Sequence, residues 1–455
     1  MHVRIEPVAS YEDRETIRAV ICDAIRAVWP TFAPAYGAPD PSRLVVVKPN
    51  WIQESHELFP DIWEPLITHP TVVLATVESL IEAMGGCGTI AVCDAPNGYA
   101  DFQAVQERGE LGSQLKEVAH TAPDVKIEVI DLRRTKFVVR NGVVIERRLN
   151  RPDPRGYVRV NLGELSMLYG RQGEGRYYGA DYDRNEVNRH HQGAVHEYLL
   201  SGTAMAADLF VNLPKLKTHK KTGITCCLKN LVGINGDKNW LPHYTEGSPS
   251  RGGDECPDGS PSRVIESIAR RAGHALALRL PVVGPWALSK MRAFGLAAFG
   301  GNDEVIRNGN WHGNDTCWRM ALDLNRALLY GSNNGEPPWR SQPRNYLAIV
   351  DGIVGGEGSG PLEPDAVNSR VLITGTNPAE IDAVACTIMG FEPDRIPLVR
   401  EAFADHTLLL CKNSLEQVWV EDLRLGKTIP LNQVRPAVPR GFKPHLGWTN
   451  LLRSS

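Results

Sequence analysis

The sequence predicts an α/β fold: a mostly parallel, Rossmann-like sheet flanked by helices, with polar insertions and a small peripheral C-terminal segment. Three stretches carry that prediction. Leu44-Val-Val-Val47 is an unbroken, mainly β-branched run, the pattern of a strand buried on both faces. A helical pattern from Thr71 to Met84 and a second strand, Thr89 to Cys93, complete a β-α-β unit. The same rhythm returns near the end, with strands Asn345–Val350 and Val371–Gly375 and a helix over Pro378–Met389.

Taken in order, Tyr11 to Trp29 reads as a helix because Ile17, Val20, Ile21 and Ile25 recur at helical spacing. The first buried strand ends in Lys48-Pro49-Asn50, and Pro49 turns the chain out of the sheet. Ligands of open α/β sheets gather at the carboxyl ends of strands, so this placement matters. The next loop holds Thr68-His69-Pro70, with Thr68 as the expected N-cap of the following helix. The second strand terminates in Asp94-Ala-Pro-Asn97-Gly98. No G-x-G-x-x-G follows a strand here, which argues against a dinucleotide site. Residues 104–119 read as a helix, Val125–Leu132 and Phe137–Val144 as strands, and Asn141-Gly142 as a hairpin turn. Residues 150–195 are polar and weakly patterned, and Tyr198–Ala207 reads as a helix entering the strand that starts at Leu209. The expected segments are 1–145 (N-terminal α/β portion), 146–196 (insertion), 197–244 (basic strand-loop segment), 245–344 (lid-like or helical insertion), 345–413 (second α/β portion) and 414–455 (C-terminal tail).

Composition narrows the function classes. The chain has 455 residues, 42% hydrophobic and 23% charged, as soluble globular proteins do. A formal net charge of −3, and few aromatics among the lysines, argue against nucleic acid as a partner. The N-terminus lacks an apolar signal core, which makes the cytoplasm the expected compartment. No run reaches the about eighteen apolar residues that span a bilayer. Residues 275–298 come nearest, interrupted by Arg279, Pro281, Pro285, Lys290 and Arg292; they read as a buried helical pair, with contact to a membrane surface as the alternative. Nine scattered cysteines without C-x-x-C spacing read as free thiols, and no iron–sulfur cluster is expected.

The stretch that organises the chain is Asp208–Tyr244. It sets Lys215, Lys217, His219, Lys220 and Lys221 between apolar runs, then Lys229, Asn230, Lys238 and His243 among glycines. Cations at the mouth of a core are costly to bury unpaired, so an anion is the natural partner. Lys48, Asn50, His69, Lys217, Asn230, Lys238 and His243 are candidate substrate-binding residues, together with Gly356, Gly358 and Ser359 of a glycine run whose backbone N–H groups can form an anion nest. His219 is the candidate general acid–base, and Lys215 and Lys229 are candidate desolvated bases. Asp94, Asp351, Glu357 and Asp382 are candidates for a divalent metal; the rival reading makes Asp94 and Asp382 turn or cap residues paired with lysines.

The motifs VVVKPNW, THP with CDAPNG, NLPKLKTHKKTGITCCLKNLVG, and VDGIVGGEGSGP followed by NPAEIDAVACTIMG resemble the family called domain of unknown function 362, over about Leu44 to Phe403. The resemblance implies an α/β body with a shared pocket. Some members carry a ferredoxin-like cluster segment; this sequence lacks its cysteine run. The GDKNWLPHY extension is similar to that of members associated with glycan gene neighbourhoods, which implies glycan or secondary metabolism. The expectation is an enzyme acting on a phosphate- or carboxylate-bearing small molecule by transfer, isomerisation or lyase chemistry. The alternatives are a non-catalytic ligand-binding or scaffold protein and, disfavoured by the cysteines, an iron–sulfur redox partner.

Overall fold

The computed structural model describes residues 2–33, 35–141, 143–180, 183–259, 272–280, 283–290, 306–337 and 339–452. Eleven strands among them form one sheet. In chain order these are β1 (Val3–Pro7), β2 (Leu44–Pro49), β3 (Gly88–Asp94), β4 (Val125–Asp131), β5 (Leu209–Leu213), β6 (Lys215–His219), β7 (Gly223–Thr225), β8 (Tyr346–Ser359), β9 (Glu363–Gly375), β10 (Trp419–Asp422) and β11 (Lys427–Pro430). The sheet order is β11-β10-β1-β9-β8-β5-β2-β3-β4, and β6 pairs with the far half of β8 and carries β7. The run β8-β5-β2-β3-β4 is parallel, and the β8–β9 hairpin and the outer β10–β11 hairpin are antiparallel.

Period-two alternation divides each central strand between two apolar layers. Val45, Val47, Leu209, Val211, Leu213, Leu347 and Ile349 pack with the helices Arg14–Val28 and Pro70–Ala83. Val46, Phe210, Ala348 and Val350 pack on the other face with the helices Cys317–Tyr330 and Pro378–Ile388. Lys48 and Asn212, opposite one another in register, take the next positions on that second face. The first helix forms as its spacing predicts: Ile17, Val20, Ile21, Ala24, Ile25 and Val28 are buried, and Asp13 caps it by accepting the Thr16 N–H at 3.2 Å.

Several expectations are corrected. The N-cap of Pro70–Ala83 is His69, whose Nδ1 accepts the Thr71 N–H; the Thr68 hydroxyl instead donates to the Leu213 carbonyl and accepts the Asn50 N–H. The helix expected over 104–119 is broken into Phe102–Glu107 and Leu111–Thr121, because Gly109 and Glu110 take left-handed φ values of 55° and 58°. Tyr198–Ala207 is divided: its first four residues end the strand Val195–Ser201, which pairs with Tyr157–Asn161, and only Gly202–Met205 is helical. Cross-strand pairing there overrides local helical spacing. The glycine run is no loop, since β8 continues through it to Ser359, paired with β9. The tail joins the sheet at its outer edge. There β10 pairs with β1, and Arg440 and the Lys443 N–H hold Glu357.

Within 245–344, the helix Cys317–Tyr330 is core, with Asp323, Asn325 and Arg326 among its buried residues. Of 275–298, the described parts are helical, with Ala277 and Leu288 packed on Val143. Leu276, Leu278, Leu280, Val283 and Trp286 are exposed, so the pair is buried on one side only. Residues 281–282 and 291–298 lie outside the described residues. Among the described residues no helix is long and apolar enough to cross a membrane.

Candidate functional site

The carboxyl ends of β2, β3 and β5 and the start of β6 bring most of the predicted polar residues together. They fall into a sealed layer and an open layer. In the sealed layer Lys48 is fully buried, pairs with Asp94 at 2.7 Å and donates to the Asn230 side chain at 3.2 Å. The second Asp94 oxygen accepts the Trp51 N–H at 2.7 Å. Gly233 lies directly over this pair, where a Cβ would strike both the Asp94 carboxylate and the Lys48 ammonium.

A chain of side-chain amides continues inward. Lys217 donates to Asn50 Oδ1 at 2.8 Å and to the Leu66 carbonyl; Asn50 Nδ2 donates to Asn230 Oδ1 at 2.8 Å; Asn230 Nδ2 donates to Asn212 Oδ1 at 2.7 Å; Asn212 Nδ2 donates to the Tyr346 hydroxyl at 2.7 Å. The Asn230 amide is saturated, because Lys48 and Asn50 use its oxygen and Asn212 and the Lys48 carbonyl use its nitrogen. Asn230, predicted to bind substrate, is scaffold.

Lys215, predicted to be a base, is scaffold as well. It is fully buried, 2.9 Å from Asp351 and 2.7 Å from the Tyr11 hydroxyl. Tyr11 donates to the other Asp351 oxygen at 2.8 Å and stacks on His69 with ring centroids 3.6 Å apart. His69 therefore belongs to this network. Burial pushes its imidazole down to about 4, against the opposing pull of Asp351.

The open layer is Lys221, Lys229, Lys238, His219 and His243. Lys229 sits on the short helix Cys227–Asn230 and is 7% exposed. Its ammonium meets no acceptor and no carboxylate among the described residues, and it is not one of the sealed atoms of the interior. Burial lowers its proton affinity. Lys221 donates to the Asn308 carbonyl and lies 5.0 Å from the Tyr244 ring centroid; Lys238 donates to the Val232 carbonyl at 2.9 Å. Burial brings both ammonium groups down to about 7, and neighbouring lysines add to the effect. Burial, then Lys229 and Lys221, depress both imidazoles: His243 falls to about 3 and His219 well below its usual range.

The predicted metal carboxylates do not converge. Asp94 and Asp351 are held by lysines, and Glu357 is chelated by Arg440 at 2.7 and 2.8 Å. Asp382 accepts the Cys227 and Leu228 N–H groups at 2.7 and 3.1 Å, tying the Lys229 helix to the helix Pro378–Ile388. Burial raises its carboxyl to about 7. Among the described residues one metal-competent group exists, Cys226, Cys227 and Asp382, with ligand atoms within 4.8 Å of one another. Its thiols are pushed up by burial and its carboxylate oxygens already accept backbone N–H groups, which does not fit a hard divalent cation. The predicted nest is absent too. Gly356 and Gly358 lie in the β8–β9 ladder with Ser359, and the Gly358 N–H donates to the Lys443 carbonyl at 2.7 Å.

Sequence reading left Lys221 out of the candidate roles, although it stood in the THKK run. It also missed Asp254, which is buried, raised to about 6, and bonded to Thr245 N–H and the Thr316 hydroxyl at 2.6 Å each. No local pattern marks an aspartate in a Ser/Gly loop as buried.

Residues 168–387 match the family model described as Domain of unknown function (DUF362). Over that stretch the chain is similar to DUF362. The DUF362 match takes in β5 to β9, the helix Cys227–Asn230, His219, His243 and Asp382, so the open layer lies wholly within it. A crystal structure of a protein from Thermotoga maritima matches at 9% identity and a TM-score of 0.32, covering 78% of this chain and 53% of that one. The chain thus spans about half of that protein's length. No curated protein matches.

Proposed function

We propose that this protein is an enzyme that binds an anionic small molecule, bearing a phosphate or carboxylate, in the open layer of its DUF362-like stretch. The observation that carries the reading is Lys229, a buried ammonium without a protein acceptor among the described residues. Lys221 and Lys238 lie close enough to feel Lys229, and among the described residues their ammonium groups donate to carbonyl oxygens. Lys48 and Lys215, by contrast, each have a carboxylate at ion-pair distance. A desolvated cluster of like charge is unfavourable when empty and is relieved by an anion. The imidazoles of His219 and His243 beside it favour catalysis over simple capture.

Calorimetric titration with inorganic phosphate tests the reading. Wild type is expected to bind, and K229M to bind at least about tenfold more weakly, the loss of one charge-assisted contact. Equal affinity in both, or no binding to wild type, removes the anion site.

A further inference from the structure

The two imidazoles of the open layer are held in opposite tautomers. His219 Nδ1 accepts the Lys221 backbone N–H at 3.0 Å, so the proton of the neutral ring sits on Nε2. His243 Nδ1 lies 2.8 Å from the Leu241 carbonyl oxygen, which only accepts; here Nδ1 carries the proton and Nε2 keeps its lone pair. Among the described residues neither Nε2 has a protein partner, and neither is among the sealed atoms of the interior. Lys221 connects the two: its backbone N–H bonds to His219 Nδ1, and its ammonium lies 5.0 Å from the ring centroid of Tyr244, the residue after His243. Lys229 and Lys221 lower the proton affinity of both rings, Lys220 and Lys217 further lower that of His219, and Lys238 that of His243.

We propose that His243 Nε2 is the base that removes a proton from the bound anion, and that the His219 Nε2–H donates to the substrate oxygen on which negative charge develops. This rests on the anion-binding reading above and narrows the general acid–base role expected of His219 to that of a donor. The substrate class follows: an anionic molecule with an ionisable proton on, or one carbon away from, an oxygen-bearing centre. The substrate–hydrogen bond breaks and the proton bonds to His243 Nε2. The electron pair stays on the substrate, its charge borne by the oxygen facing His219 and the lysines.

The cations also make the base conditional. Lys229, Lys221 and Lys238 oppose an imidazolium at His243. A bound anion offsets those charges, so the ring gains proton affinity only when substrate is present.

Histidine side-chain ¹⁵N spectra of the full chain, followed through a pH titration with and without inorganic phosphate, test this. The expected result is an Nε2–H tautomer at His219, an Nδ1–H tautomer at His243, and a phosphate-dependent rise of the His243 midpoint by about one pH unit or more. In K229M the rise is expected to shrink. Identical tautomers, or an unmoved His243 midpoint under phosphate that binds, overturn the base assignment and leave the anion site standing. Failure of phosphate to bind overturns both.

Discussion

Lys48 and Lys229 place the same side chain in opposite circumstances. Lys48 has an ion pair, a carbonyl and an amide, and contributes order to the strand ends; Lys229 has none of these among the described residues and stores an electrostatic cost. Replacing Lys229 with methionine keeps the volume and removes the buried charge. K229M is therefore expected to be more stable than wild type without ligand, by about 1–3 kcal/mol, the usual cost of an unmade buried bond. Thermal melts with and without phosphate check it: the variant should melt higher in plain buffer and lose the phosphate-dependent gain. Gly233 is the converse. A methyl group there drives into the Lys48–Asp94 pair, so G233A is expected to lose about 3–5 kcal/mol, the range seen when a buried pair is broken. Urea denaturation reads that loss directly, and a shift under about 1 kcal/mol would show that the loop moves aside.

At the scale of elements, what was legible was the strand order of the β-α-β unit and the place of the basic stretch, because apolar runs bracket its lysines. What was not legible was which lysine faces open space. Along a regular strand Lys215, Lys217 and His219 share one face. The register of β6 against β8 shifts between Lys215 and Lys217, sending the first to Asp351 and the second to Asn50. The partner of Lys215 lies 136 residues away, and nothing local announces it. The β8 glycines misled for a related reason: a Cβ on Gly356 would meet the Pro65 carbonyl at 2.7 Å and Lys217 Cβ at 3.0 Å, so they mark close packing. The β6–β7 turn and the loop after the Lys229 helix carry the two lysines that lose their protons near neutrality. Lys221 and Lys238 are lowered to about 7 in the fold from a usual value near 10.5. Below about pH 7 both states are protonated and the penalty is fully present. Above it the unfolded chain holds those protons and the folded one does not, so stability rises with pH. The melting temperature of the ligand-free protein is expected to climb from pH 7 to about 9, beyond which ordinary thiols and phenols begin to titrate. The double variant K221M/K238M should flatten that slope, and a slope that survives it would assign the effect elsewhere.

Across the whole molecule, the ends of the chain build the environment of its middle. β10 and β11 extend the sheet past β1, and the last segment crosses back to the basic turn. There Trp448 is 1% exposed and its indole N–H donates to the Lys220 carbonyl at 2.9 Å. Its ring lies so near Gly223 that a Cβ there would sit 3.1 Å away. The Gly447 carbonyl accepts the His312 N–H at 3.0 Å, and Lys221 reaches the Asn308 carbonyl, so tail, turn and the 308–312 segment close on one another beside His219. The tail thus acts as a clamp on the turn that supplies Lys221 and orients His219. W448A is expected to cost about 3–5 kcal/mol, as large aromatic truncations do, with the loosening concentrated at the turn. Hydrogen exchange distinguishes a clamp from a general core contact. Amides of Lys220 to Ile224 should lose protection first while those of β2 and β3 keep theirs, and phosphate affinity should fall with them. Uniform loss of protection across the sheet would mean that Trp448 supports the whole core, and the orientation of the basic turn would then be set from within β6 and β7 alone.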